Sequence, residues 1–541
     1  MKKLAALFVL LASVSFADTY PRQPGVDAIH YVFRLTLVDA SNEIAGEATV
    51  QLRLAADNLA EALLDLASAG ERGGMTVSSV TSGGSAASFS HERDRLRITL
   101  PAGAKKGQDV SFTIRYRGVP AEGLRLIPNI HGERTIFSEN WPNRARQWLP
   151  MIDHPYDKAT AEFIVTAPAH YQVISNGLLV EETDLADGRR RTHWKQSVPI
   201  SSWLYALGVA RFTVHHAGLT QGVPLQTWVF PQDRDAGLTL FEETTRQVMA
   251  FFTERIGPYS YEKLANVEAA GLSGGTEHAS AIFYGEKSVT KGRGPVVHEV
   301  AHQWWGNAVT ELDWDDVWLS EGFATYFTML FTEHMYGRDA FVGSLRGSRQ
   351  TVIETERKLP DTPVIHRNLS DMRSVLNALV YQKAGWVLHM LRGLIGTEAF
   401  WKGIREYYRR YRNGNVSTDD FRAVMEETSG QTLQWFFNQW LTRPGTPVIE
   451  GSWRYDTARR QIDVELSQTV SGAPYRLPIE LGVVMRAGDP PRIERIELSE
   501  RRSTFTIAAD AEPASVVLDP NTWLLHEGGL SPFSAAKERK R

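Results

Sequence analysis

Residues 294–306 read Gly294-Pro295-Val296-Val297-His298-Glu299-Val300-Ala301-His302-Gln303-Trp304-Trp305-Gly306. Pro295 suits a first helical turn, where a missing N–H costs nothing, and Gly306 suits a helix stop, so the stretch predicts a helix between them. His298 and His302 then stand four apart on one face, about one turn from each other. Two imidazoles so placed both point a nitrogen at one ion about 2 Å away. Glu299 lies roughly 100° round the helix from His298. It therefore sits beside the ion rather than on it, where a carboxylate can take a proton from water.

His-Glu-x-x-His on a helix is a general signature of zinc proteases, but two histidines alone also occur on ordinary helices. A catalytic site needs a third ligand and an open fourth position. Glu321 supplies the third from the segment Val317-Trp318-Leu319-Ser320-Glu321-Gly322-Phe323-Ala324-Thr325-Tyr326, whose acidic approach, Asp313 to Asp316, offers N-terminal caps. Two neutral imidazoles and one carboxylate leave a divalent ion with net positive charge, hence a strong Lewis acid.

Outward from this centre the patterning changes twice. Residues 18–221 read mainly as β structure, with alternating runs such as Tyr31 to Leu37 and Val110 to Tyr116 separated by turns such as Gly83-Gly84-Ser85. Helical spacing begins near 235, where Phe241, Thr245, Val248, Met249 and Phe252 share one face, and continues to Leu441. Arg443-Pro444-Gly445-Thr446-Pro447 cannot continue a helix and marks a boundary. Alternation then returns in Gln461 to Leu466, predicting a β-sandwich over 444–530 and a frayed tail over 531–541. The expected fold is multidomain α+β: an N-terminal all-β domain (18–221), an α-rich domain carrying the metal (222–443) and a C-terminal β-sandwich.

Lys2 and Lys3 precede the uncharged run Leu4 to Phe16, and Ser15-Phe16-Ala17 offers small residues for cleavage. Residues 1–17 thus read as a signal peptide, and the protein is expected to be exported, periplasmic or extracellular. The run is shorter than the about 20 residues needed to span a bilayer, so no stable membrane insertion is expected after cleavage. With 59 basic and 63 acidic residues the charge is too balanced to suggest nucleic acid as a partner. There is no Cys, which excludes disulfides and a thiol nucleophile.

Residues 303 to 320, eighteen in number, separate His302 from Glu321. That spacing, with Trp318-Leu319-Ser320-Glu321-Gly322-Phe323-Ala324, resembles the zinc aminopeptidase family that includes aminopeptidase N and leukotriene hydrolase. The resemblance implies a saddle-like N-terminal β domain, a thermolysin-like catalytic domain, one zinc ion per chain held by His298, His302 and Glu321, and Glu299 as catalytic base. Gly274-Gly275-Thr276-Glu277-His278 resembles the family's Gly-x-Met-Glu-Asn element, with Thr276 and His278 departing from it. Glu277 matches the glutamate that binds the substrate's free amine, and Gly274 and Gly275 fall among the substrate-binding residues. A carboxylate near the zinc can fix a free α-ammonium one residue from the metal by a charge-assisted bond.

Val380-Tyr381-Gln382-Lys383-Ala384-Gly385-Trp386, on an expected helix from about Met372 to Ile395, places Tyr381 at the family's catalytic tyrosine. A phenol there can donate a hydrogen bond to the oxyanion. Arg144 to Pro155 resembles a first-domain element, with Met151 where Cys is usual, and Ile174-Ser175-Asn176-Gly177 resembles a structural turn of the family. Glu139 is a candidate for a second contact to the amine. Many relatives carry a helical fourth domain; none is expected here, which disfavours the family's epoxide-hydrolase branch. The expected function is removal of N-terminal residues from peptides with a free N-terminus. A secreted zinc endopeptidase would not need Glu277, and a non-catalytic peptide-binding protein would not need Glu299.

Overall fold

The computed structural model describes residues 18–292, 295–366 and 372–533. The expected signal peptide and the last eight residues of the expected tail lie outside them. Residues 531 and 532 close the strand Glu527–Pro532, which pairs in parallel with Val448–Asp456, so order extends past the expected start of the tail.

The N-terminal part is built on an eight-stranded sheet. Its centre is Val26–Thr36, antiparallel to Ile44–Leu54 and parallel to Lys158–Pro168. Alternation decides the faces. In Asp109–Val119 the side chains of Val110, Phe112, Ile114 and Tyr116 are buried while Ser111, Arg115 and Arg117 are exposed. A second, four-stranded sheet includes Leu124–Pro128 and Arg134–Ser138.

The strand Thr213–Thr220 forms a hairpin with Val223–Val229, and that hairpin extends a sheet through Leu264–Ala269 and Ala281–Gly285 to the short Gly275–Thr276. The expected domain boundary at 221 falls inside this hairpin. A two-histidine strand with exposed Leu219 carries no mark of which sheet it joins, because pairing is non-local. Behind the sheet lie the helices, among them Arg234–Arg255, Val296–His302, Trp318–Tyr336 and Arg338–Lys358. The helices end at Leu441, and two sheets follow from Val448 onward. Their buried residues alternate, as in Ile462, Val464 and Leu466 facing a core with Leu477, Ile479 and Leu481. No helix among the described residues is long and apolar enough to cross a membrane.

Two lysines fasten the N-terminal part to the helical part, one from each side. Lys158 donates to the carbonyls of Asn307 (3.1 Å), Ala308 (3.2 Å) and Gly414 (2.9 Å), using all three N–H groups of an ammonium. Lys263, fully buried, reaches back to the carbonyl of Ser175 (2.9 Å) and to that of Ser280 (3.2 Å), with its charge 5.0 Å from the ring centre of Trp194.

Candidate metal centre and active site

The metal helix is shorter than its sequence suggests. It runs Val296–His302, and the chain then turns through Gln303 to Trp305. Gly306 ends this turn with φ +97°, a conformation that glycine adopts without strain. The two histidines keep their shared face: His298 Nε2 and His302 Nε2 stand 3.0 Å apart. Glu321 enters from the helix Trp318–Tyr336, which is preceded by a turn capped by Asp313, whose carboxylate accepts from Asp315 N at 3.1 Å. Its Oε2 lies 3.3 Å from each Nε2.

These three donors fit a divalent cation. Glu321 Oε2 is buried, takes no hydrogen bond and faces both imidazole nitrogens. His302 Nδ1 lies 3.1 Å from the carbonyl of Trp305, which can only accept, so the hydrogen sits on Nδ1 and the Nε2 lone pair is free for a metal. Ser320 Oγ lies 3.1 Å from the same Nδ1. Two imidazoles and a carboxylate are the donor set zinc takes in hydrolytic sites.

The field at this point favours positive charge. Burial alone would lower His302, yet the carboxylates of Glu277, Glu321 and Glu299 lift it to about 10. Glu299 is pushed well above the ordinary carboxylate range by burial and by the Glu277 carboxylate. Glu277 is raised by burial and by Glu321. Burial opposes ionisation of Glu321 as well, but the two histidines hold its carboxylate below the usual range. Three acidic groups around two imidazoles provide for more than one cation, which suits a metal and an ammonium side by side.

Gly275 packs directly on Glu299, and a Cβ at that position would collide with the carboxyl group. The Glu277 backbone is held by the metal segment itself: Asn307 Nδ2 donates to the Glu277 carbonyl at 2.5 Å and Gln303 Nε2 at 3.1 Å, while Gln303 Oε1 accepts from Ser280 N at 3.0 Å. Gln303 and Asn307 were not singled out in the sequence. Their signal is the placing of two amides around a Trp-Trp pair, at positions that end up fully buried. Gly274 stands open, with no atom near the position a Cβ would take. His278 turns away from this role. Burial pushes it down to about 4, so it is neutral, and its ring packs on Phe283 with Nε2 3.4 Å from the carbonyl of Ser138.

Tyr381 reaches the site from a turn that differs from the expected continuous helix. The chain makes a short turn at Met372–Ser374, then a π-helical turn at Leu379–Lys383, then an α-helix at Ala384–Ile395. Asn377 breaks the run, its Oδ1 accepting from Leu379 N at 2.9 Å. Tyr381 OH donates to Glu321 Oε1 at 2.8 Å. Close approach of the two helices is built from small residues, Ala384 against Gly322 and Gly385 against Thr325. Glu139 is not free: its carboxylate is held by Arg125 (2.6 Å to Nε) and Arg144 (3.1 Å). Arg146 pairs with Asp153 at 2.9 Å, and Asn176 bridges the carbonyls of Leu204 and Ala279, so both of those segments are structural.

The peptidase family M1 domain matches residues 242–440 and the peptidase M1 N-terminal domain matches residues 27–204. The chain is 30% identical over 331 residues to a glutamyl aminopeptidase of Bitis rhinoceros, covering 58% of this chain and 34% of that protein. It is 28% identical over 491 residues to an aminopeptidase N of Streptomyces lividans, covering 82% of this chain and 56% of that protein. The chain thus spans about a third to a little over half the length of these relatives. Among solved structures, an M1 zinc metallopeptidase of Deinococcus radiodurans superposes with TM-score 0.65 at 25% identity, over 77% of this chain and 94% of that one. Aminopeptidase A of Legionella pneumophila, solved with aspartic acid, shares the fold with TM-score 0.80 at 18% identity, over 94% of this chain and 60% of that one.

Proposed function

Because the chain belongs to peptidase family M1, we propose that it is a zinc aminopeptidase, removing N-terminal residues from peptides. One observation carries the exopeptidase half of this reading: a buried carboxylate, Glu277, whose backbone is clamped to the metal segment by Gln303 and Asn307. A carboxylate so fixed beside the metal ligands pairs with a substrate's α-ammonium and limits cleavage to the first peptide bond.

His298, His302 and Glu321 would hold one zinc ion per chain, which when bound supplies Lewis acidity toward the scissile carbonyl and the attacking water. Glu299 takes a proton from the attacking water and passes it to the leaving nitrogen. Its burial raises its proton affinity, which suits it to take the proton from water and then to release it to the more basic leaving nitrogen. Gly275 leaves the room that the Glu299 carboxyl group occupies, since a Cβ there would collide with it. Tyr381, whose phenol is held protonated by burial and by Glu321, donates a hydrogen bond to the oxyanion.

The test is a panel of aminoacyl reporter substrates, each with a free and an acetylated amine, assayed with and without a chelator. The expected result is turnover of free amines about 100-fold or more faster than of acetylated ones, lost on chelation and restored by zinc. Equal rates on both forms would indicate an endopeptidase. Export, read from Lys2-Lys3 and the apolar run to Phe16, is proposed with it; sequencing of protein recovered outside the cytoplasm is expected to begin at Asp18, and an intact Met1 start would remove the proposal.

A further inference from the structure

Tyr381 and Lys383 are two residues apart in one π-helical turn and so face opposite sides of it. Tyr381 faces Glu321. Lys383 is fully buried on the other side, where its Nζ meets Glu356 Oε1 at 2.7 Å and the carbonyl of Gly445 at 3.0 Å. Glu356 belongs to the helix Arg338–Lys358. Gly445 belongs to the segment that joins the helices to the C-terminal sheets, and it turns there with φ +84°. From the far side Tyr475 OH donates to the same Gly445 carbonyl at 3.2 Å, with the guanidinium of Arg443 4.1 Å over the Tyr475 ring.

A π turn is rare and occurs mostly as a single turn inside a helix, frequently at functional sites. Here the neighbours on the Tyr381 side are Glu321 and His298, whose ring stacks on Tyr381 at 6.0 Å. On the other side the strongest polar contacts described are those of Lys383. We propose that Lys383 is a positioning residue for Tyr381: it pins the turn to Glu356 and to the joining segment, holds the phenol at the metal centre, and thereby makes the C-terminal sheets part of the support of the site. The inference rests on the reading of Tyr381 as the oxyanion donor.

The test is a double-mutant cycle of Lys383→Met and Tyr381→Phe, read as kcat and KM on an aminoacyl reporter, with zinc content and melting temperature measured for each variant. Lys383→Met is expected to lower kcat about 10-fold with KM within about twofold and zinc retained, and to change kcat less than about twofold when Tyr381→Phe is already present. Should Lys383→Met fail to fold, Glu356→Ala carries the same cycle, since it removes the carboxylate that Nζ meets at 2.7 Å. Lys383→Arg is expected to restore part of kcat. Equal kcat losses with and without the Tyr381→Phe substitution would overturn the positioning role while leaving the aminopeptidase reading intact. A Tyr381→Phe enzyme as fast as wild type would overturn the role of Tyr381 and the proposal with it.

Discussion

Glu299→Gln is expected to bind zinc as the wild type does and to lose about 10³-fold or more in kcat. The amide is isosteric with the carboxylate and still fits beneath Gly275, so the pocket keeps its shape. The metal ligands are untouched: His298, His302 and Glu321 converge from the metal helix and the helix Trp318–Tyr336 without help from residue 299. What disappears is the one ability an amide lacks, that of accepting a proton and giving it back. KM is expected to stay within a few fold, since Glu277 and the metal ligands remain. Kinetics with metal analysis on the same preparation decide the matter. Near-normal turnover would remove Glu299 from the mechanism, and loss of zinc would place it among the ligands.

Glu277→Ala is expected to cost about 100-fold or more in kcat/KM on free amines, while leaving any residual hydrolysis of amino-blocked substrates unchanged. Glu277 is buried to 6% exposure, so its pairing with an ammonium is not screened by water. The substitution leaves the backbone bonds from Gln303 and Asn307 in place, because both go to the carbonyl oxygen. The loop therefore keeps its path and the loss reports the carboxylate alone. Parallel losses on free and blocked substrates would mean that Glu277 does not anchor the amine.

The convergence of His298, His302 and Glu321 was legible in the sequence because its geometry is local: a spacing of four on one helix and a glutamate in an aromatic-rich one that follows an Asp-capped turn. The position of Tyr381 was legible by resemblance, but the turn that presents it was not. A π turn leaves no periodic mark in five residues, and what holds it, Lys383 on Glu356 and Gly445, comes from elements 27 and 62 residues away. Gln303 and Asn307 escaped notice for a similar reason. Their acceptors lie about 25 to 30 residues upstream, and only the fold brings the Glu277 carbonyl to them. The three-part architecture could be read from alternation, whereas the sheet joined by Thr213–Thr220 could not, since a strand's own residues do not name its partner.

The reciprocal lysines have a consequence for how such a protein can be taken apart. Lys158 satisfies carbonyls that immediately follow the metal helix, and Lys263 satisfies one on the far side of the same seam. A helical part produced alone would lose the Lys158 bonds to the carbonyls of Asn307, Ala308 and Gly414, and would leave Lys263 with Ser280 but without Ser175 and the Trp194 ring. Grafting the metal-binding stretch onto another scaffold would lose the same bonds at the seam. The exchangeable unit is therefore the N-terminal and helical parts together, and recombination between relatives is expected to keep them as one inheritance.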